Sequence, residues 1–400
     1  MTRKLWIMML CGVLIVLTAN GLRLTFGVFL KPVSLDLEIG REAFGLVIAG
    51  QALLYGVFQP VAGIFADRYG APVTITLGAV LYALGLWLAS AAQSPVDLHI
   101  SLGLLVGLGL SASANVIVLG AIGKVVPNER RGIVFGTVIA AGSLGMFFMV
   151  PAAQALVGSI GWRETLIIMA GLIACAPLLA LGLRVSKAGQ GAGKPQGLRD
   201  AASEAMRHRG YVLLTLGFFV CGFHVTFIGT HFPAFLADSG VSAEAASYAF
   251  GIIGLCNIAG AYAFGALGDR MRKKSVLTGI YSLRAVLMAA ILLAPMTDVT
   301  AILFGACMGL VWLSTVPLTS GIVAQVFGPG HFSFLFGVVF MSHQIGGFCG
   351  AWLAGRIHDA TGSYDLMWMA SIALAVVSAA LHWPIDDRPL ARLQAAPSPR

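Results

Sequence analysis

The chain has 400 residues, 58% of them hydrophobic and 10% charged, with a formal net charge of +8 and a mean hydropathy of +0.89. A soluble domain carries about 25% charged residues, so this composition excludes a water-soluble fold and indicates a polytopic membrane protein. Strand-length alternation of polar and apolar residues is absent, which excludes a β-barrel and leaves helices.

A spanning helix needs about 20 apolar residues, and twelve such runs follow one another along the chain. They cover approximately 5–30, 44–65, 72–92, 98–123, 132–157, 164–184, 211–236, 244–267, 275–294, 299–325, 332–355 and 366–384. The first is preceded by Thr2-Arg3-Lys4, is too long for a signal-peptide core and lacks a small-residue exit site, so no cleaved leader is expected. It contains Gly21-Leu22-Arg23-Leu24-Thr25-Phe26, with Pro32 after it: an arginine in the middle of an apolar run. Between the sixth and seventh runs, residues 185–208 are rich in glycine and basic residues. They read as a linker, with a short amphipathic helix over Leu198–Met206. The seventh run then repeats the first 201 residues later, as Gly222-Phe223-His224-Val225-Thr226-Phe227 with Pro233 after it. Gly, Thr, Phe and Pro recur in register, and His224 stands where the first copy has Arg23. The six cysteines all fall in apolar runs without metal-ligand spacing and read as small apolar fillers. The 50 glycines exceed average usage of about 7% and suit close helix packing.

Nineteen of the 25 lysines and arginines fall on the side that holds both termini, four on the other side, and Arg23 and Arg284 within spans. The positive-inside rule therefore places both termini in the cytoplasm. The basic residues are scattered over short loops, which is no pattern for nucleic acid. The expected divisions are a six-helix half over 1–184, a cytoplasmic linker over 185–208, and a second six-helix half over 209–400.

The repeat extends further. Gly63-Ile64-Phe65-Ala66-Asp67-Arg68 after the second run matches Gly265-Ala266-Leu267-Gly268-Asp269-Arg270 after the eighth. Two six-span halves in the same orientation form the parallel-repeat transporter architecture. The whole chain resembles the major facilitator superfamily, and Gly63-x-x-x-Asp67-Arg68-x-Gly70 resembles its signature between the second and third helices. Here Ala71-Pro72 follow the glycine, where basic residues are usual. Three stretches resemble bacterial relatives of the monocarboxylate porters: Gly21-x-Arg23-x-Thr25-Phe26-Gly27-Val28-Phe29, Asn257-Ile258-Ala259-Gly260 running into Asp269-Arg270, and His343-Gln344-x-Gly346 running to Asp359-x-Thr361-Gly362-Ser363-Tyr364. Animal monocarboxylate porters carry an Asp and an Arg one turn apart on the eighth span, whereas this chain has Asn257 and Ala261. The resemblance implies twelve helices, alternating access, and a cavity lined by the first, fourth, seventh and tenth.

All 17 acidic residues lie in loops or at span ends. Arg23 cannot deprotonate, and an unpaired buried cation is costly and usually functional. An organic anion can supply the missing charge, because a guanidinium fork donates two parallel hydrogen bonds to a carboxylate. The alternative is that Arg23 snorkels, or is satisfied by carbonyls and by Asn20, Gln51 or Gln59. His224 is expected to face Arg23 across the central site. His224 and His343 are the proton-coupling candidates, since histidine alone among these side chains exchanges a proton near neutral pH without being perturbed. The other substrate-binding candidates are Asn115, Asn257, Arg284, Trp312 and Gln344. Arg284, on a helix that the resemblance makes peripheral, either contacts cargo or braces Tyr262 or Asn257. Asp67, Arg68, Asp269 and Arg270 are expected to form a conformational gate. No enzyme motif, metal cluster or nucleotide loop is present in the sequence, and no cofactor is expected. The expectation is a monomeric secondary transporter of a small monocarboxylate-like anion in a bacterial inner membrane, with proton symport left open. The alternatives are efflux of neutral or anionic drug-like compounds, or a non-transporting sensor.

Overall fold

A computed structural model describes residues 3–113, 115–123, 125, 131–184, 198–327 and 332–390, and among these the regular structure is helical. Eleven stretches are long and apolar enough to cross a membrane. The thirty-residue helix Phe332–Thr361 completes the twelve. It carries His343 and Gln344 at its middle and packs between two other spans.

The first span is Arg3–Leu24 followed by Phe26–Asp36. It breaks at Thr25, whose backbone N–H and hydroxyl both turn back to the Leu22 carbonyl, the hydroxyl at 2.7 Å. The second span is Arg41–Tyr69 and the third Ala71–Ser90, joined at Gly70 with φ +92°, a left-handed geometry that suits glycine. The fourth span runs from Pro95 to Gly123 through a π-helical stretch, His99–Leu105. The fifth is Arg131–Ile160, and Pro151 stays within it. The sixth comprises Trp162–Ile173, Ala176–Ala180 and the short turn Leu181–Leu183, interrupted just ahead of Pro177. The amphipathic helix expected in the linker is present as Leu198–Arg207; residues 185–197 lie outside the described residues.

The second half repeats the pattern. Its seventh span is Arg209–Asp238, its eighth Ala243–Arg270 and its ninth Lys273–Leu293. The tenth is split into Asp298–Leu310 and Thr315–Phe327. The eleventh is Phe332–Thr361 and the twelfth Asp365–His382. Pro317 falls in the first turn after the break in the tenth span, where its missing N–H removes no helical bond.

Contacts follow the repeat. The first span packs on the fifth, the second on the fourth and the third on the sixth. The equivalent pairs recur as seventh on eleventh, eighth on tenth and ninth on twelfth. The halves meet where the second span packs on the eleventh and the fifth on the eighth, which are themselves equivalent pairs. Close approach depends on glycine. A Cβ on Gly45 would lie 2.5 Å from the Ala351 carbonyl oxygen, and one on Gly27 would strike the Gly229 carbonyl of the other half.

Candidate functional site

The halves are sealed at the face opposite the termini. Gly40 opens the second span without a side-chain cap of its own. The cap comes from the other half. The Asp359 carboxylate accepts the backbone N–H groups of Arg41 at 3.0 Å and Glu42 at 2.7 Å, where a helix N-terminus favours a negative charge. The Arg41 guanidinium, in turn, forks onto Asp238 of the seventh span at 2.5 and 3.0 Å and donates to the Tyr364 hydroxyl at 3.1 Å. Lys31 reaches Asp238 at 3.2 Å. Glu42 accepts from the Trp352 indole at 2.9 Å and from Arg356 at 3.1 Å. Behind this layer, His231 is fully buried between Tyr364 and the Ala351 carbonyl. Sequence reasoning missed the network. Its signal was there: Arg41 and Lys31 are two of only four basic residues on that face.

Towards the terminus-bearing face the halves separate. Contacts between the second and eleventh spans continue down to Gly56 and Gln344, where the Gln344 amide donates to the Ala52 carbonyl at 2.9 Å. Nearer that face, Cβ atoms on Gly63, Gly265 and Gly337 would meet nothing within 4 Å. At the same face, a cleft within the second half is lined by Asp269, Arg270, Arg272 and Lys273. Neither Asp269 nor Arg270 is ion-paired among the described residues. Arg68 is exposed and lies over the Tyr69 ring. The side chain of Asp67 lies outside the described residues, as does that of Asn115.

Arg23 stands just beneath the sealed face, ahead of the break in the first span. With Gln51, Val225, Thr226 and Thr230 it lines a small central cavity of about 30 Å³ between the halves, room for roughly one water molecule. Its guanidinium lies 5.3 Å from the centroid of the Tyr55 ring, and no hydrogen bond or ion pair joins it to a described residue. Gln51, one suggested partner, is committed to the Leu102 carbonyl at 2.8 Å. The guanidinium is thus braced by an aromatic face while its donors stay available.

His224 does not face Arg23. It is fully buried, and its Nε2 meets the Ser371 carbonyl of the twelfth span at 2.9 Å. Val225 and Thr226 take the cavity-facing positions instead, because adjacent helical residues point about 100° apart. Arg284 is also fully buried and braces a different partner from those expected. Its Nε and Nη2 donate to the Val311 carbonyl at 3.1 and 2.7 Å, and Nη2 also donates to the Trp312 carbonyl. These carbonyls are orphaned where the tenth span breaks. Asn257 serves the same break: its Oδ1 accepts Leu313 N–H at 2.8 Å, and its Nδ2 donates to Ser143 of the first half at 2.9 Å. Asn257, Arg284 and the buried Trp312 therefore converge on one interrupted helix, and none of them lines the cavity beside Arg23.

His343 contacts Gln344 through Nδ1 at 3.0 Å and is stacked on Phe340. Its Nε2 has no hydrogen-bond partner. The cysteines are free, but Cys221 is not the apolar filler expected. Its thiol lies 3.2 Å from the Thr315 hydroxyl and 3.7 Å from Arg284 Nη2.

The sequence model of the Major Facilitator Superfamily matches residues 8–351. The chain is 24% identical over 389 residues to the uncharacterized MFS-type transporter YcxA of Bacillus subtilis (strain 168), covering 95% of this chain and 94% of that one. It is 26% identical over 323 residues to monocarboxylate transporter 13 of Bos taurus, covering 78% and 73%. Among solved structures, a bacterial homologue of the human lysosomal transporter Spinster, inward-facing and unoccupied, superposes with TM-score 0.80 at 16% identity, covering 96% of this chain and 97% of that one. The nucleoside transporter NupG superposes with TM-score 0.76, also at 16% identity, covering 96% and 100%. The chain belongs to the Major Facilitator Superfamily.

Proposed function

We propose that this protein is a secondary transporter that moves a small organic anion of the monocarboxylate class by alternating access. The observation that carries the reading is Arg23: a permanent cation at the interface of the halves, with an aromatic brace and no acidic partner among the described residues. Removing such a charge from water is costly, and a carboxylate accepting two parallel hydrogen bonds offsets that cost. Similarity to animal monocarboxylate transporters supports the cargo class. The halves are 1–184 and 209–400, joined by the linker 185–208. Both termini lie in the cytoplasm of a bacterial inner membrane, so the sealed face is external. Asp67, Arg68, Asp269 and Arg270 are the cytoplasmic gate. They engage when the external network opens, which explains why Asp269 is unpaired in the present arrangement.

The test is uptake of labelled lactate, pyruvate and longer monocarboxylates into proteoliposomes, with a neutral amide analogue as control. The reading expects saturable uptake of at least one acid and none of the amide. Equal movement of acid and amide would overturn it.

A further inference from the structure

The loops that follow the second and eighth spans are copies of one another, but they differ in charge. Residues 68–72 carry one cation, Arg68, whereas the equivalent residues 270–274 carry four: Arg270, Arg272, Lys273 and Lys274. A gate common to both halves does not call for this difference.

Three of the four line a built cleft. It has a volume of about 650 Å³ and lies between the end of the eighth span, the start of the ninth, the end of the tenth and the chain beyond the twelfth. That last segment is fastened down. Leu390 N–H donates to the Val326 carbonyl at 3.1 Å, and the Gln325 amide donates to the Asp387 carbonyl at 2.8 Å. The buried Asp387 carboxylate in turn holds Arg272 at 2.6 Å, and Gln325 Oε1 accepts from Lys273 at 3.2 Å. Arg388 is spent on Asp386 at 3.0 Å. With these pairs made, Arg270 and Lys273 have no acidic partner among the described residues, and Asp269 is the free carboxylate of the lining. The ninth span also starts at Lys273 without a side-chain cap, so its first N–H groups add partial positive charge. The cleft therefore carries surplus positive charge at the level where two spans end. Met271, exposed beside these cations, gives it an apolar wall.

We propose that this cleft binds the headgroup of an anionic glycerophospholipid of the phosphatidylglycerol type. The phosphodiester takes the Arg270 guanidinium and the Lys273 ammonium, the glycerol hydroxyls donate to Asp269, and Met271 meets the start of an acyl chain. Basic clusters immediately beyond a span attract such lipids. Here Lys273 and the neighbouring Arg272 are already held by Gln325 and Asp387, which lowers the ordering cost of binding. Phosphatidylcholine shares the phosphate, but its trimethylammonium group has no hydrogen to give Asp269 and meets the surplus positive charge. A soluble ester such as glycerol 3-phosphate offers the same polar groups without the acyl chain. The site does not rest on the transport reading.

Native mass spectrometry of the purified full chain in neutral detergent, titrated with phosphatidylglycerol or phosphatidylcholine, counts bound lipids and gives their affinities. One phosphatidylglycerol should bind roughly tenfold or more tightly than phosphatidylcholine. Equal affinities for the two lipids overturn the proposal, whatever the variants do. Each surface cation strengthens the attraction roughly fivefold, so Arg270→Gln with Lys273→Gln should weaken phosphatidylglycerol binding about twenty-fivefold. Arg207→Gln with Arg209→Gln removes an exposed pair on the same face but outside the cleft, and should leave binding unchanged within twofold. Equal weakening by both pairs would assign the effect to bulk charge and overturn the site. Displacement of phosphatidylglycerol by an equal concentration of glycerol 3-phosphate would make the ligand a soluble one and overturn the lipid assignment.

Discussion

Asp359→Ala removes a helix cap that one half supplies to the other. The carboxylate holds two backbone N–H groups at the start of the second span, at 3.0 and 2.7 Å. A side-chain N-cap contributes about 0.5–2 kcal/mol, and a negative charge at a helix N-terminus adds about 0.3–1 kcal/mol where it is solvent-accessible. Asp359 is partly exposed, with side-chain accessibility of 30%, so the lower parts of these ranges apply and the sum is about 1–2 kcal/mol. Both partners remain folded when the halves part. The energy therefore acts on the opening equilibrium, and about 1–2 kcal/mol shifts it five- to thirtyfold. Leu35 and Leu366 are exposed at the sealed face, in different halves. Pulsed electron resonance between spin labels at these positions, in a chain with its native cysteines replaced, reads that equilibrium. The long-distance population should rise five- to thirtyfold in Asp359→Ala. A lower melting temperature with an unchanged distance distribution would refute the reasoning, since the cap would then belong to folding alone.

Other substitutions follow from the same geometry. Arg284→Lys retains the charge but loses the fork that serves Val311 and Trp312; unfolding should cost about 2–3 kcal/mol less, seen as a lower melting temperature in detergent. His224→Gln should leave the half-saturating anion concentration for uptake unchanged within twofold, because the side chain meets Ser371 and not the cavity. Asp269→Asn should slow turnover severalfold in the uptake assay while equilibrium binding stays nearly unchanged.

The architecture was legible because a bilayer leaves a chain few options. The 201-residue repeat and the asymmetry of basic residues already described two equivalent halves, and the recurring helix pairs match them. Arg23 was legible for the same reason: a permanent charge inside an apolar run stands out whichever way the helix turns. His224 was not, since equivalent sequence positions do not fix rotation, and here the cavity is faced by Val225 and Thr226. Arg284 was recognised as buried, but its partners are backbone carbonyls exposed by a break in the tenth span, and carbonyls carry no sequence signature. The seal at the face opposite the termini was missed for a related reason. Arg41, Asp238, Asp359 and Tyr364 look like ordinary loop-end residues until the fold brings together positions 318 residues apart.

The central claim is that the Arg23 fork binds the cargo carboxylate. Its most direct test is equilibrium binding and uptake of the transported monocarboxylate by Arg23→Lys, with the Leu35–Leu366 distance as a check on conformation. Lysine keeps the charge and loses the paired donors. The account predicts a fall in affinity of at least tenfold, about 1.4 kcal/mol or more, with the distance distribution unchanged. Wild-type affinity and uptake in Arg23→Lys would contradict it.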